Sequence, residues 1–260
     1  MNNGSTGRIV LTGAAGRLGR IVRPELAAYA SDLISSDVVD VGPLHPNEQF
    51  ALGELSDLVA MAELFTGAHS VVHFGGISNQ RPFQELLHSN ILGTHNVFEA
   101  ARQAGVARVV YASSNHAVGF YPTDHKLDPN VAYRPDSQYG VSKAFGEIVG
   151  RLYNDRYGLE VVCLRIGSCT ERPTKLRHLS TWLSHGDLVR LVLASLEAQN
   201  AAFEIVYGVS NNTKGWWINS GGAIPYRPQD SADVYAEQIG DHDESEFPFQ
   251  GGSACYREMS

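Results

Sequence analysis

The sequence has few of the features that would tie it to a membrane, a metal or an oxidising compartment. No window approaches 18 continuous apolar residues, and no apolar stretch precedes the first candidate strand, so we expect neither a membrane span nor a secretion signal. The three cysteines, Cys163, Cys169 and Cys255, lack the spacing of a metal site or a disulfide framework. We therefore predict a cytoplasmic protein without membrane contact and without a bound metal.

Charge is also scarce, and its balance is acidic. Only 18% of the 260 residues are charged, the net charge is −8 (20 basic against 28 acidic side chains), and no basic run occurs. A nucleic-acid partner is therefore not expected. The 43% of hydrophobic residues are enough to bury a sizeable core without disulfides or metals, and we predict a single domain over residues 1–260.

Apolar runs typical of strands alternate with segments of helical periodicity. This alternation predicts a doubly wound parallel sheet with helices on both faces. From residue 211 onward the pattern changes to loops with one short helix near 230–239 and an acidic run at 241–244, which we interpret as a short segment that covers the substrate. The predicted strands are 8–12, 33–36, 70–74, 108–112, 160–166 and 203–207, and the predicted helices include 56–65, 83–103, 139–157 and 181–198.

The first strand is followed directly by three spaced glycines. Thr12-Gly13-Ala-Ala-Gly16-Arg-Leu-Gly19 opens a helical pattern, as in the dinucleotide-binding turn of a Rossmann-type fold. Gly13 would make the tight turn, Gly16 would let the backbone approach a pyrophosphate, and Gly19 would allow close helix packing. Ordinary turn glycines are the alternative, but the strand before them and the helix after them favour the dinucleotide site.

The second strand ends in an acid at the distance expected of a ribose ligand. Asp37 lies 18 residues after Gly19, close to the roughly 20 that are typical. A carboxylate there favours NAD over NADP, because it would repel a 2′-phosphate and no arginine follows it nearby. Asp40 is an alternative for the same role, and a plain loop aspartate is the alternative for both.

A tyrosine, a lysine and a serine provide groups for proton transfer. In Tyr139-Gly-Val-Ser-Lys143 a helical spacing of four places phenol and ammonium on one face, where Lys143 would lower the pKa of Tyr139. Ser113 or Ser114, at the end of the preceding strand, would hold a substrate oxygen beside that phenol. Such a trio can remove a proton from an alcohol while a hydride leaves its carbon. Tyr207-Gly-Val-Ser-Asn211 repeats the tetrapeptide without the lysine, and we interpret it as a strand end.

Polar residues follow the ends of three of the predicted strands. In open α/β sheets ligands lie outside the carboxyl ends of the strands, so these residues are expected at the site. Hydroxyls and amides in such positions equally often cap helices or stabilise turns. The segments are His73-Phe74-Gly75-Gly76-Ile77-Ser78, Ala112-Ser-Ser-Asn115-His116 and Arg165-Ile166-Gly-Ser168.

Taken together, these motifs resemble the extended short-chain dehydrogenase/reductase superfamily, which includes the sugar-nucleotide epimerases. Within it, further stretches are most similar to the uronate dehydrogenases, and the similarity covers nearly the whole chain. Those stretches are Gly75-Gly-Ile-Ser78, Ala112-Ser-Ser-Asn-His116, Tyr139-Gly-Val-Ser-Lys143, Arg165-Ile-Gly-Ser-Cys169, Leu179-Ser-Thr-Trp-Leu-Ser-His185, Gly215-Trp-Trp217 and Phe249-Gln-Gly-Gly252.

The resemblance implies NAD-dependent oxidation of a hexuronic acid, glucuronate or galacturonate, at C1 to the aldaric acid lactone. Tyr139 would be the general base, Lys143 its pKa partner and a ribose ligand, and Ser114 the orienting hydroxyl, because the superfamily's serine lies 25 residues before the tyrosine. Arg177 would bind the substrate carboxylate. The implied sugar-acid contacts are Ser78, Ser114, Asn115, His116, Tyr139, Ser168 and Arg177, mainly from elements within 165–225. The implied NAD contacts are Gly13, Gly16, Arg17, Leu18, Gly19, Asp37, Glu54, Leu55, Phe74, Gly75, Gly76, Asn90, Lys143 and Ile166, with Glu54 where the family usually has aspartate.

Two other functions remain open at this point. A sugar-nucleotide epimerase or dehydratase would share the cofactor half, but such enzymes add a larger substrate domain, whereas 92 residues (260 − 168) follow Ser168. A non-catalytic NAD-sensing protein would need neither Tyr139 nor Lys143. The expected partner is a small uronic acid, and the sequence leaves open whether the chain forms a homo-oligomer.

Overall fold

Parallel strands form the centre of the molecule in the computed structural model, which describes residues 7–219, 222–239 and 247–257. The strands are β1 (Arg8–Thr12), β2 (Asp32–Asp37), β3 (Glu48–Leu52), β4 (Ser70–His73), β5 (Arg108–Ser114), β6 (Glu160–Ile166), β7 (Ser168–Cys169), β8 (Trp182–Leu183) and β9 (Phe203–Gly208). Over the described residues, the main sheet has seven strands in the order β3-β2-β1-β4-β5-β6-β9, and β7 pairs with β8 separately. The strand order reverses between β1 and β4, where an open sheet leaves a ligand crevice.

Helices cover both faces of this sheet. They are α1 (Arg17–Tyr29), α2 (Leu58–Leu64), α3 (Phe83–Leu86), α4 (Gly93–Gln103), α5 (Gln138–Tyr157), α6 (His178–Thr181), α7 (His185–Glu197) and α8 (Ala236–Ile239). One core cluster joins α1 and α7 to the sheet, and a second joins α2, α4 and α5 to the other face. The predicted doubly wound parallel sheet is confirmed. No helix in the described ranges combines the length and the apolar character needed to cross a bilayer.

Helix α5 is well delimited by its own sequence. The Ser137 hydroxyl accepts a hydrogen bond from the Gly140 amide at 3.0 Å, which caps the first turn. Gly158 ends the helix with φ of 71°, a left-handed conformation that favours glycine. These signals fix the position at which Tyr139 enters the first turn of the helix.

The structure differs from the sequence-based prediction in three places. Strand β3 was not predicted, because the half-exposed Glu48–Leu52 segment lacks a continuous apolar run and forms a strand by pairing with β2 at the sheet edge. The predicted helix 83–103 contains a π-helical stretch, Leu87–Leu92, between α3 and α4. The predicted helix 181–198 begins only at His185, because Trp182–Leu183 pairs with Ser168–Cys169.

The short helix predicted near 230–239 is present as a 3₁₀ turn, Ala232–Tyr235, followed by α8. The acidic run at 241–244 lies outside the described residues.

A buried ion pair joins α5 to the sheet. Arg165 of β6 donates from Nη2 to Glu147 Oε2 at 2.8 Å, and both side chains are almost completely buried. The Ser113 hydroxyl donates to the same carboxylate, and Tyr207 of β9 accepts from Arg165 Nη1 at 3.2 Å. This network fixes the carboxyl half of β5, on which the next residue, Ser114, is placed.

Breaking this pair from one side should strongly destabilise the protein. We expect Glu147→Ala to lower the free energy of unfolding by about 3–5 kcal/mol, because it leaves the Arg165 guanidinium buried without its counter-charge. Urea unfolding measures the change. The exposed Arg151–Asp155 pair on the same helix is the matched control, and Asp155→Ala should cost less than about 1 kcal/mol. Equal losses of unfolding free energy in the two variants would show that the buried Glu147–Arg165 pair stabilises the fold no more than an exposed pair does.

Candidate active site

The turn after β1 and the first turn of α1 each contain one position that is packed too tightly for any residue but glycine. Gly13 has φ of 74°, and a Cβ there would lie 2.5 Å from the backbone nitrogen of Gly75. A Cβ on Gly19 would lie 2.2 Å from the Gly13 carbonyl oxygen. The turn therefore approaches the loop after β4 closely, and the N-terminus of α1 opens at the crevice, where backbone amides favour an anion.

Asp37 closes this turn from the second strand. Its Oδ2 accepts from the Ala15 amide at 3.0 Å and its Oδ1 from the Val38 amide at 2.8 Å. It lines a cavity of about 580 Å³, whereas Asp40 is exposed and caps the Gly42 amide at 2.6 Å. Neither arginine nor lysine is among the described residues of this cavity, so its charge opposes a 2′-phosphate. The predicted NAD contacts that line it are Gly13, Gly16, Asp37, Glu54, Leu55, Phe74, Gly75 and Gly76.

Asn90 lies behind the loop after β4 instead of in the cavity. Its Oδ1 accepts from the Ile77 amide at 2.8 Å, and its Nδ2 donates to the Ile77 carbonyl at 2.9 Å and to the Ser142 hydroxyl at 3.1 Å. The residue is 2% exposed and is placed by the π-helical stretch. Asn90 therefore holds the loop against α5.

The carboxyl ends of β5 and β6 and the first turns of α5 enclose a second cavity of about 340 Å³ that adjoins the glycine turn. Ser114 enters it from the end of β5, and Tyr139 and Lys143 enter it from one face of α5, as their spacing predicted. The predicted site residues that line it are Gly13, Gly16, Arg17, Leu18, Gly19, Phe74, Gly76, Ser78, Ser114, Asn115, His116, Tyr139, Lys143, Ile166, Ser168 and Arg177.

Hydrogen bonding distinguishes the two candidate serines. The Ser113 hydroxyl donates to the buried Glu147 carboxylate and belongs to the core network. The Ser114 side chain is hydrogen-bonded to the Tyr139 phenol, and its oxygen also accepts from the His116 amide at 3.2 Å. The geometry therefore favours Ser114 as the serine that faces the reacting groups.

The pKa of Tyr139 moves opposite to the sequence-based expectation. Burial raises it to about 12, against the lowering effects of the Ser114 hydrogen bond and the positive charge of Arg17. Lys143 is itself buried, which lowers its pKa to about 8, and its Nζ lies 5.7 Å from the Tyr139 ring centroid and 5.1 Å from that of Tyr111. Desolvation, which the spacing along the sequence does not reveal, is the largest influence on the pKa of Tyr139.

His116 is oriented by a buried carboxylate. Its Nδ1 lies 2.7 Å from Asp136 Oδ2, and its ring meets the Tyr139 ring edge-on with centroids 5.8 Å apart. The Asp136 side chain is completely buried; a Cβ on Gly119 or Gly251 would lie within about 2 Å of its carboxylate. A carboxylate at Nδ1 keeps a hydrogen on that nitrogen, so Nε2 is the ring nitrogen left for a ligand.

Arg177 reaches the same cavity from the segment before α6. Its Nε and Nη2 donate to the Gln250 carbonyl at 2.9 and 2.6 Å, and its Nη1 donates to the Ser168 hydroxyl at 3.2 Å. With its amide turned to satisfy both neighbours, Asn115 donates to the Ile166 carbonyl at 3.1 Å and accepts from Arg177 Nη2 at 2.9 Å. A guanidinium thus lines the same cavity as Ser114 and Tyr139, where it can attract an anionic group.

Three residues of the site were missed by sequence reasoning. The side-chain oxygen of Gln80 accepts a hydrogen bond from the Tyr139 amide at 3.2 Å, and Asp136 orients His116. The backbone carbonyl of Gln250 accepts a hydrogen bond from Arg177. Each contacts a predicted residue far away along the chain, so no local spacing marks it. Only Gln250 lay in a stretch quoted for the family resemblance.

Comparison with known proteins gives consistent matches. A sequence model of the NAD dependent epimerase/dehydratase family matches residues 9–170. A uronate dehydrogenase of Pseudomonas putida is 42% identical over 253 residues, which cover 95% of this chain and 94% of that protein.

Solved structures agree with the sequence match. The uronate dehydrogenase of Agrobacterium tumefaciens, as a tyrosine variant complexed with NAD, superposes with a TM-score of 0.93 at 41% identity and covers 98% of this chain and 99% of that one. A glucuronic acid dehydrogenase of Chromohalobacter salexigens gives a TM-score of 0.94 at 38% identity, with 97% and 98% covered.

Proposed function

The chain belongs to the NAD-dependent epimerase/dehydratase family and, within it, to the uronate dehydrogenases, and we propose that it oxidises a hexuronic acid at C1 with NAD. The proposed substrates are D-glucuronate and D-galacturonate, and the product is the aldaric acid lactone. The observation that carries this proposal is the position of Arg177, which shares one cavity with Ser114, Tyr139 and Lys143. A cation in the same cavity as a proton-transfer group suits a sugar that carries a carboxylate.

NAD fits the residues at the two cavities. The close-packed Gly13 and Gly19, the open N-terminus of α1 and the Asp37 carboxylate are the groups that a pyrophosphate and an adenosine ribose require. Phe74, Gly75 and Gly76 continue this surface toward Lys143. When bound, the oxidised cofactor supplies the hydride acceptor and a positive ring charge.

The chain's own residues handle the proton and the sugar. Ser114 holds the C1 hydroxyl beside Tyr139, and Tyr139 accepts its proton as a general base. Burial raises the pKa of the phenol to about 12, and the Ser114 hydrogen bond and the cationic Arg17 are the groups that lower it and so favour the phenolate. Arg177 binds the carboxylate and thereby sets which carbon faces Tyr139. The ring of the sugar stays closed, so oxidation at C1 gives a lactone.

One assay separates this activity from its alternatives. Purified protein is mixed with NAD and, in separate reactions, with glucuronate, galacturonate, a nucleotide sugar and glucose, and NADH absorbance is followed. We expect reduction with the uronates and little with the other two. Turnover of the nucleotide sugar alone would indicate an epimerase or dehydratase. NAD binding without turnover of any substrate would indicate a sensing protein.

The choice of cofactor provides a separate prediction. Wild type should strongly prefer NAD, and Asp37→Ala should lower kcat/KM for NAD at least about tenfold, because a hydrogen bond to a charged group is lost. NADP should be affected little. The measurement is initial rate against the concentration of each cofactor at saturating uronate.

Asp40→Ala is the matched control for this variant, since Asp40 is exposed and caps only its own turn. It should leave kcat/KM for NAD within about twofold of wild type. Equal use of NAD and NADP by wild type would refute the role of Asp37, as would a larger loss in Asp40→Ala.

A further inference from the structure

The two edges of the Arg177 guanidinium meet different parts of the protein. Nε and Nη2 both donate to one oxygen, the backbone carbonyl oxygen of Gln250, at 2.9 and 2.6 Å. Nη1 donates to Ser168, and Nη2 also lies 2.9 Å from Asn115. A guanidinium can form a paired contact with a carboxylate through its Nε/Nη2 edge or its Nη1/Nη2 edge. The backbone carbonyl of Gln250 occupies the Nε/Nη2 edge. The Nη1/Nη2 edge is therefore the one that faces Ser168 and Asn115 in the cavity.

Gln250 is itself held rigidly. Its side chain is 1% exposed, and its Nε2 donates to the carbonyls of Pro122 and His125 at 2.9 and 2.8 Å. Its Oε1 accepts from the indole nitrogen of Trp217 at 2.7 Å. Both polar atoms of the side-chain amide thus have partners, and these bonds anchor the residue whose backbone carbonyl meets Arg177.

The segment around Gln250 is anchored on both sides. The Gln250 amide donates to the Tyr121 carbonyl at 2.8 Å, and the Gly251 amide donates to the Gly119 carbonyl at 2.8 Å. Gly252, with φ of 61°, lies so close that a Cβ would be 3.0 Å from the Arg177 Cδ. The backbone at 250–252 therefore packs against the Cδ and Nε atoms of Arg177.

We propose that Gln250 is a positioning residue for substrate selection: it occupies the Nε/Nη2 edge of Arg177 and directs the Nη1/Nη2 edge toward the carboxylate of the substrate. This inference rests on the proposed uronate oxidation and deepens it. Among the described residues, no hydrogen bond joins Gln250 to Ser114, Tyr139 or Lys143, so we expect it to act on binding of the carboxylate and not on proton transfer. Its loss should appear in KM and leave kcat nearly unchanged.

The first test is Gln250→Leu, which keeps the volume of the side chain and removes its three hydrogen bonds. With saturating NAD, we expect KM for glucuronate to rise at least about tenfold while kcat stays within about threefold, because a displaced guanidinium weakens ground-state and transition-state binding alike. Trp217→Phe removes the indole donor to Gln250 Oε1 together with one ring of the side chain, and it should change KM in the same direction by less. Gln199→Leu, at an exposed glutamine, is the matched control and should change neither constant.

A double-variant cycle separates positioning from a general structural effect. If Gln250 acts through Arg177, adding Gln250→Leu to Arg177→Ala should lower kcat/KM for glucuronate by no more than about threefold beyond Arg177→Ala alone. Full additivity of the two losses, or a fall in kcat with unchanged KM, would overturn the inference. The Tm of each variant and its Kd for NAD show whether the fold and the cofactor site are intact.

The wild-type reaction keeps the two proposals apart. If wild type does not reduce NAD with either uronate, the proposed function fails and the positioning role fails with it. If wild type is active and Gln250→Leu, folded by its Tm, has the wild-type KM, only the role of Gln250 is wrong.

Discussion

Replacing Tyr139 by phenylalanine should abolish almost all turnover while leaving the fold and NAD binding intact. The variant loses only the phenolic oxygen, which is hydrogen-bonded to Ser114 and is the proposed proton acceptor. Because general-base catalysis contributes typically about 10²–10⁴-fold, kcat for glucuronate should fall by at least about 10²-fold. The Kd for NAD, measured by calorimetry, should stay near the wild-type value.

Tyr207 offers a control with the same local sequence. It begins the second Tyr-Gly-Val-Ser tetrapeptide, but it lies in β9, where its hydroxyl binds Arg165 and the Asp128 carbonyl. Tyr207→Phe should lower stability by about 1 kcal/mol and leave kcat within about threefold. If Tyr139→Phe keeps more than about a tenth of the wild-type kcat, Tyr139 is not the base, and another group in the cavity, with His116 the first candidate, must accept the proton.

The second large effect is expected at Arg177. A charge-assisted pair between its guanidinium and the uronate carboxylate should contribute on the order of 2–5 kcal/mol, so Arg177→Ala should lower kcat/KM for glucuronate and galacturonate at least about thirtyfold. Neutral glucose and galactose should be poor substrates for wild type and should lose little more, because they never made that contact. The measurement is kcat/KM for acid and neutral sugars in both proteins.

Arg172 is the matched control, since it is an exposed arginine of the same loop. Arg172→Ala should change none of these constants by more than about twofold. Equal losses for uronates and neutral sugars in Arg177→Ala would show that Arg177 acts through the fold, and the carboxylate would then be read by Ser78, Asn115 or His116.

Burial changes the pKa values of both Tyr139 and Lys143. Desolvation raises the phenol pKa and lowers the ammonium pKa, so both groups are shifted toward their neutral forms. Arg17, which sequence reasoning assigned to the cofactor, is the cation that acts on Tyr139 in the structure. Its Nη1 also donates to the Cys169 carbonyl at 2.8 Å, which links the glycine turn to the strand that carries Ser168.

The sequence by itself determined the features that depend on neighbours along the chain. An apolar run followed by spaced glycines is sufficient to place β1, the turn at Gly13 and α1, because strand, turn and helix propensities act locally. The spacing of four likewise places Tyr139 and Lys143 on one face of α5, and the doubly wound sheet follows from the alternation of strands and helices.

The tertiary structure alone decided which distant residues meet and what burial does to them. Asp136 contacts His116 from 20 residues away, Gln250 contacts Arg177 from 73 away, and Cys169 contacts Arg17 from 152 away. No local pattern encodes these pairs, because they arise where a parallel sheet gathers the carboxyl ends of strands that are far apart in sequence. The direction of the Tyr139 pKa shift belongs to the same class, since desolvation depends on every group packed around the phenol and not on the residue four positions along its helix.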